Sequence, residues 1–496
     1  MKDTLKIEAE VNSGAERRQA LLAVVLTLLG GWLIVATGGQ WLVLAGLCGA
    51  VVFMALLLRH LEIGVYVLLA AVLLLEQFQI FGFPHLLARK IPFYLNLNLV
   101  TGISALVFNP VEALLGLMLG VWFLRAVVSR EWNLRPLPNM GVAWLFLGML
   151  IFFTAFGLLR GGGNWKAALW EIRALYYLCG CYFIAFQLIR TRRQVQVCVW
   201  IIAIAVGIKG LQGCWRYFVT LNGTMGDLRA ITGHEDALFM VTAFNLMIAM
   251  ALMGARSGAF WTMLATFPTT CLTWILTQRR ITYGVFGLSL ILITTLIPSE
   301  ARRRAFKFVF PLLLVLPVYT AAFWNNTGAA GLPVRKVKSI FIADADKTDD
   351  SSNAYRKIEN FNLQYTIRKF PLGLGFGQKY LIVRPLDKID FPLWEYIPHN
   401  CILWMWAKTG FVGFTIFWLF FGTAIAQAVI DYRAMRDPLF RALGLMVITF
   451  IAGQLMVAYY DLQIVFFRNM IYLGIAMGLL AAIRGIEQRA DEDLSP

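Results

Sequence analysis

A ladder of apolar runs constrains this chain more than any other feature. A helix that crosses a bilayer needs roughly 17–25 predominantly apolar residues. Runs of that kind fall near 20–36, 41–58, 62–80, 109–128, 139–158, 166–189, 195–218, 237–254, 257–277, 281–298, 306–323, 399–428, 439–458 and 464–483. Lipid offers the backbone no hydrogen-bond partner, so a spanning segment must be a helix or part of a closed barrel. The length of these runs selects the helix. The expectation is an all-α polytopic membrane protein of about 14 transmembrane helices (12–14). Composition agrees, with 59% hydrophobic and 15% charged residues against about 25% charged in soluble domains. Cys48, Cys179, Cys181, Cys198, Cys214, Cys271 and Cys401 lie almost entirely in apolar runs, and their odd number argues against a disulfide framework.

The connections orient the ladder. If the spans alternate, one side receives Arg59, Arg125, Arg130, Arg135, Arg190, Arg192, Arg193, Arg256, Arg302, Arg303, Arg304, Lys307, Arg433, Arg436, Arg441, Arg484 and Arg489. The positive-inside rule makes that side cytoplasmic. It also accounts for the net charge of +16 without a nucleic-acid partner. Both termini are then expected in the cytoplasm of a bacterial inner (plasma) membrane protein. The polar start MKDTLKIEAEVNSGAERRQ is longer than a signal-peptide n-region, so the first span is expected to stay as an anchor. The chain divides into transmembrane helices 1–11 (1–323), one large extracytoplasmic, periplasmic loop (324–398), and transmembrane helices 12–14 with a cytoplasmic tail (399–496).

Cations left on the outer side are the informative ones: Arg160, Arg173, Arg216, Arg229, Arg279, Arg280, Arg356 and Arg368. A charge at membrane depth costs roughly 2.5–3.5 kcal/mol on insertion scales. Arg173 therefore needs a partner, either an anionic ligand or an acid on another span such as Glu76. Glu171, two positions earlier, cannot share its helix face. Among the histidines His60, His85, His234 and His399 no pair has metal-ligand spacing. His399 stands directly before a long apolar run, and Pro398 suits a first helical turn. There the positive end of the helix dipole favours a neutral imidazole able to accept a proton.

The loop carries its own pattern. A helix is expected over 352–370, with Tyr355, Ile358, Phe361 or Asn362, and Tyr365 on one face. The following PLGLGFGQ ends it at Pro371, and Gly373, Gly375 and Gly377 let backbone approach a neighbour. No βαβ unit surrounds these glycines, so a dinucleotide loop is not expected. Asp344 and Asp346, in DADKTDD, read as a solvated acidic stretch.

Four segments, GDLRAITGHEDA, TQRRITYGV, YRKIENFNLQYTIRKFPLGLGFG and IPHNCILWMWAKTGFVGF, resemble in their order the motifs of the O-antigen ligase and O-antigen polymerase superfamily of bacterial membrane glycosyltransferases. The resemblance covers roughly 200–425. Two departures stand out. Gln278, Arg279 and Arg280 replace a Ser-Arg-Gly junction, so either arginine can correspond to the family's. His234, Glu235 and Asp236 replace a more usual Pro-Asn.

The resemblance implies a GT-C-like fold and a metal-independent, inverting transfer without cofactor. The donor would be an undecaprenyl-diphosphate-linked glycan, and the acceptor a hydroxyl of a glycan or of a lipid A core. The setting would be surface polysaccharide synthesis, O-antigen or exopolysaccharide. On that reading His399 is the base, and Arg280 with Arg279 behind it clamps the diphosphate. Arg229 and Arg356 contact donor or glycan, Arg173 is a further candidate contact, and Asn400, Gly373 and Gly375 shape the site. The alternative is a carrier or flippase for a lipid-linked or anionic solute. It would place its site at the bilayer midplane, whereas the unusual residues here gather at one rim.

Overall fold

The computed structural model of the chain describes residues 41–78, 93–102, 106–128, 134–225, 228, 230–326, 331, 334–335, 338, 347–389 and 391–492. Among them the regular structure is helical, without a strand. In chain order the helices are α1 (Trp41–Arg59), α2 (Glu62–Leu74), α3 (Leu97–Thr101), α4 (Pro110–Val128) and α5 (Met140–Leu159). They continue with α6 (Trp165–Leu188), α7 (Arg192–Trp215), α8 (His234–Met253), α9 (Gly258–Leu276) and α10 (Arg280–Leu296). The remainder are α11 (Ser299–Ala322), α12 (Lys347–Lys369), α13 (Cys401–Ala434), α14 (Pro438–Tyr460) and α15 (Phe467–Glu492). Two compact units divide the chain, Met1–Ile63 and Gly64–Pro496. The first holds α1 and the first two residues of α2, and the second holds the rest of α2 and α3 to α15.

Among the described residues eight helices, α4, α5, α7, α8, α9, α13, α14 and α15, are long and apolar enough to cross a membrane, α7 being extended to Thr220 by a π-helical turn. The chain is a multi-pass membrane protein. The expected run at 20–36 lies outside the described residues. The others coincide with helices, of which α2 and α10 are shorter apolar ones.

Local chemistry starts these helices where they start. Asn164 caps α6 by accepting from Lys166 N and Ala167 N, and Thr191 with Gln194 forms a capping box on α7. Asp437 caps α14, with Pro438 at its first position. Small residues then set the packing. Gly474 and Gly478 of α15 lie against Leu178 O and Tyr182 O of α6, so close that an added Cβ would stand 2.6 Å from either oxygen. This is the small-xxx-small contact that lets membrane helices approach through their backbones. Gly207, Gly210 and Gly213 of α7 receive Thr266, Thr270 and Thr273 of α9 in the same way, and Thr273 donates to Gly210 O at 2.8 Å.

The loop helix α12 buries part of the expected face and extends it. Of the expected row Asn362 is buried, Tyr355, Ile358 and Tyr365 are half-buried and Phe361 is exposed, while Glu359, Leu363 and Thr366 are buried beside Asn362. The reason is that the returning segment hangs on polar side chains. Asn362 Oδ1 accepts from Val383 N (3.1 Å) and Arg384 N (2.8 Å), its amide donates to Arg384 O (2.9 Å), and Thr366 Oγ1 accepts from Leu381 N (3.0 Å). Leu363 joins Leu374, Tyr380 and Ala407 in a small apolar core.

The glycine segment after α12 inserts between membrane helices. Gly373, Gly375 and Gly377 all take positive φ, at 89°, 84° and 83°, a region that only glycine enters freely. Leu374 N donates to Ala407 O (2.9 Å), Gly375 N to Lys408 O (2.8 Å) and Phe376 N to Phe153 O (3.0 Å). A Cβ on Gly375 would stand 2.3 Å from the Gly157 Cα. A buried ion pair clasps the segment: Lys408 Nζ lies 2.5 Å from Glu171 Oε1 and also donates to Gln378 O. Glu171 further accepts from Gly377 N at 2.5 Å and from Trp404 Nε1 at 3.3 Å.

Candidate functional site

The apolar run at 401 begins two residues after His399. Asn400 caps it, its Oδ1 accepting from Leu403 N at 3.0 Å, so Pro398 and His399 precede the helix instead of forming its first turn. The helix itself is interrupted at Gly410 (φ 61°, ψ −168°), which separates a short N-terminal piece from the membrane-long remainder.

His399 is held from α12. Its backbone N–H donates to Glu359 Oε2 at 2.9 Å, and its Nδ1 stands 3.2 Å from both carboxylate oxygens. The Glu359 side chain is 2% exposed and that of His399 23%. The Tyr355 ring, one turn earlier on α12, meets the imidazole edge-on at 5.7 Å. Burial first, then the nearby Glu359 and Asp387 charges, push the Tyr355 phenol up to about 12. It therefore remains a neutral hydrogen-bond donor near pH 7. Among the described residues the Tyr355 hydroxyl, Arg356 Nε and Asn400 Nδ2 are buried without a hydrogen-bond partner.

A second cluster lies alongside. His234, first residue of α8, touches Arg279 Nη2 through Nε2 and has Nδ1 3.9 Å from Asp461 Oδ2. Arg279 caps α10 after Gln278, which adopts a left-handed φ of 53°. Burial alone would raise the Asp461 carboxyl, but hydrogen bonding to His234 and the His234 and Arg279 charges hold it well below the usual carboxylate range. His399 is close enough to His234 for its charge to act on that ring. The two clusters thus form one rim.

Beneath His234, a buried network fixes the start of α8. Arg468 Nη2 meets Asp236 Oδ1 at 2.5 Å and Arg468 Nη1 meets Glu235 Oε2 at 3.7 Å. Lys209 bridges Asp236 (3.5 Å) and Glu76 (2.9 Å), and Arg216 binds Glu76 (2.9 Å) and Ile231 O (2.7 Å). Three acids and three bases balance, which is how charge persists at membrane depth.

The structure brings His399, Asn400 and Tyr355 together on one side of this rim and His234 and Arg279 on the other, and Arg356 follows Tyr355 on α12. Arg280 opens α10 beside Arg279. Gly373 and Gly375 belong to the inserted segment that carries α12 into place. Arg173 is 2% exposed and internally bound, to Glu112 (2.9 Å), Asn96 Oδ1 (2.8 Å) and Val107 O (3.1 Å). Glu76 serves Lys209 and Arg216 rather than Arg173. Arg229, His85, Asp344 and Asp346 lie outside the described residues. Among those described, no group of three or more His, Cys, Asp or Glu is arranged to hold a metal ion.

Sequence reasoning did not single out Glu359, the Glu171–Lys408 clasp or Asp461. Glu359 carried a signal: it lies four residues from Tyr355 and three from Asn362, on the face that the loop buries.

An imidazole that donates Nδ1–H to a carboxylate keeps its Nε2 lone pair for a proton. Beside it, a guanidinium in contact with a second imidazole offers charge for an anion. That combination suits removal of a proton from a hydroxyl next to a leaving phosphate. Comparison with curated proteins finds no match. Residues 263–418, which contain Arg279, Arg280, Arg356, Glu359 and His399, match the family model Wzy_C, O-Antigen ligase, and that match supports the resemblance of this chain to the O-antigen ligase and polymerase superfamily.

Proposed function

We propose that this protein transfers a glycan from a lipid diphosphate to an acceptor hydroxyl, with inversion, on the extracytoplasmic face of the bacterial inner membrane. The donor is an undecaprenyl-diphosphate-linked glycan, and the acceptor is a sugar hydroxyl of a second glycan or of a lipid A core. Both termini are cytoplasmic, and the segment 324–398 lies outside. The observation that carries this reading is the pairing of His399 with Glu359 at the same rim as Arg279 and His234, most of it within the matched region.

The chemistry follows from these groups. His399 Nε2 takes the acceptor O–H proton while that oxygen forms a bond to the anomeric carbon. The bond from that carbon to the diphosphate oxygen breaks, and its electron pair leaves with the diphosphate. A diphosphate is a weak base, so it departs without a general acid. Its charge needs guanidinium donors instead, which cannot lose their protons. Arg280 and Arg279 fill that role, with Arg356 toward the glycan. Arg229 is a further glycan or donor contact. Arg173, held by Glu112, acts on the site only through the helices it ties together.

The test is transfer by the purified protein in detergent, with a polyprenyl-diphosphate glycan donor and several acceptors. Wild-type protein yields the glycosidic product, and His399→Gln binds donor but transfers at least about 10²-fold more slowly, the contribution typical of a general base. Near-normal product from His399→Gln overturns the base assignment. No product from the wild type with any acceptor overturns the transferase reading.

A further inference from the structure

We infer that Glu359 is the positioning residue of this reaction: it holds His399 with Nδ1 protonated and Nε2 free for the acceptor hydroxyl. The inference rests on the reading of His399 as base. Three observations carry it. Glu359 is buried, and a buried carboxylate must be matched by donors; among the described residues, the hydrogen bonds it makes run to residue 399 alone. A staple between loop and helix would be complete with the backbone N–H bond at 2.9 Å. The carboxylate instead also reaches the ring, both oxygens at 3.2 Å from Nδ1.

The consequence is chemical. An ionised carboxylate only accepts, so the hydrogen between the two groups belongs to Nδ1, and the Nε2 lone pair faces away from Glu359. When Nε2 takes the acceptor proton, the positive charge that appears on the ring already has its counter-ion. This is the division of labour between imidazole and orienting carboxylate seen in hydrolytic triads, where the acid fixes tautomer and stabilises imidazolium without itself taking the proton. After transfer the proton passes from Nε2 to water. The groups facing His399 are Tyr355 and Glu359 from α12 and His234 from α8, with Arg279 and Asp461 behind His234.

Glu359→Gln separates orientation from mere support. Its amide oxygen can still accept from the backbone N–H of residue 399. Its NH₂ would donate to Nδ1, however, and so select the tautomer whose Nε2 carries hydrogen and cannot act as base. The experiment compares wild type, Glu359→Gln, Glu359→Asp and His399→Gln as full-length protein in detergent, with the donor and acceptor on which the wild type is active. Thermal stability, donor binding and the pH–rate profile are read for each.

Glu359→Gln is expected to bind donor as the wild type does and to lose about 10²–10⁴-fold in transfer rate. The acid limb of its pH–rate profile should move to lower pH, because the imidazolium has lost its counter-ion. Glu359→Asp keeps the charge, so it should be slower yet hold the wild-type limb. Should Glu359→Gln not fold, the limb of Glu359→Asp decides alone, and a shifted limb refutes the role. A Glu359→Gln rate within about threefold of wild type refutes it too, as does a rate loss with an unshifted limb. If His399→Gln remains active, the base reading itself fails; if His399→Gln is inactive while Glu359→Gln is active, only the positioning role fails.

Discussion

Removing either end of the Glu171–Lys408 pair should unseat the glycine segment and, with it, the site. The two charges are 2.5 Å apart and wholly buried. At an effective dielectric of about 20 their attraction is of order 7 kcal/mol, set against the desolvation of both ions. Deleting one partner leaves the other charge uncompensated, which costs about 3–5 kcal/mol. Lys408→Met strands a carboxylate that still serves Gly377 N and Trp404 Nε1, and Glu171→Gln strands an ammonium whose remaining bond is to Gln378 O. The double variant removes both charges while the Gln oxygen can still accept from Gly377. Its loss should therefore fall well short of the two single losses added, by an interaction of about 0.5–3 kcal/mol or more. Thermal denaturation in detergent should place each single variant roughly 5 °C or more below wild type. Trypsin cleavage at Lys369 and Lys379, which flank the segment, should accelerate in the same order. Additive losses in the double variant, or single variants with unchanged melting and cleavage, would refute the clasp.

Three further outcomes test other parts of the molecule. Arg280→Lys keeps the charge and loses the planar fork, so transfer should fall about tenfold or more, one charge-assisted hydrogen bond being worth about 1.5–3 kcal/mol, while Arg279→Lys is milder; equal, near-wild-type kinetics in both remove the clamp from this junction. Gly375→Ala, at φ 84° and with a Cβ 2.3 Å from the Gly157 Cα, should lower the melting temperature more than Gly287→Ala, where the added methyl meets nothing within 4 Å; similar melting contradicts the insertion. The Asp461 carboxyl is depressed in the folded protein, so its contribution to stability is present above the ordinary carboxylate range near pH 3.9 and lost as pH falls through the lower folded value. Asp461→Asn should accordingly be less stable than wild type at pH 6 and converge with it in strong acid, as read by melting against pH.

Eight of the expected spans were legible because lipid imposes a length and a composition that few other constraints override. His399 was legible by its place before an apolar run, although Asn400, a preferred cap residue, was the truer sign of where the helix begins. The buried face of α12 was legible only in part. Apolar periodicity finds faces that meet apolar neighbours, and Asn362 and Thr366 are buried because backbone from residues 381–384 bonds to them. Arg173 announced that it needed a partner but not which, since Glu112 lies on another helix, 61 positions earlier in the chain. Glu359 escaped for a related reason: its meaning comes from a residue forty positions away.

The glycine segment also has a consequence for the order of assembly. Its contacts come from residues made before it, Phe153, Asn164 and Glu171, and from residues made after it, Ala407 and Lys408. A growing chain therefore cannot seat the segment until the start of α13 has been synthesised and has met α5 and α6. Glu359 reaches His399 across the same junction, so this pair is completed only on a bundle that has already closed. Under the proposed transfer, a half-built chain exposed to lipid-linked glycan in the same membrane would be inert by construction.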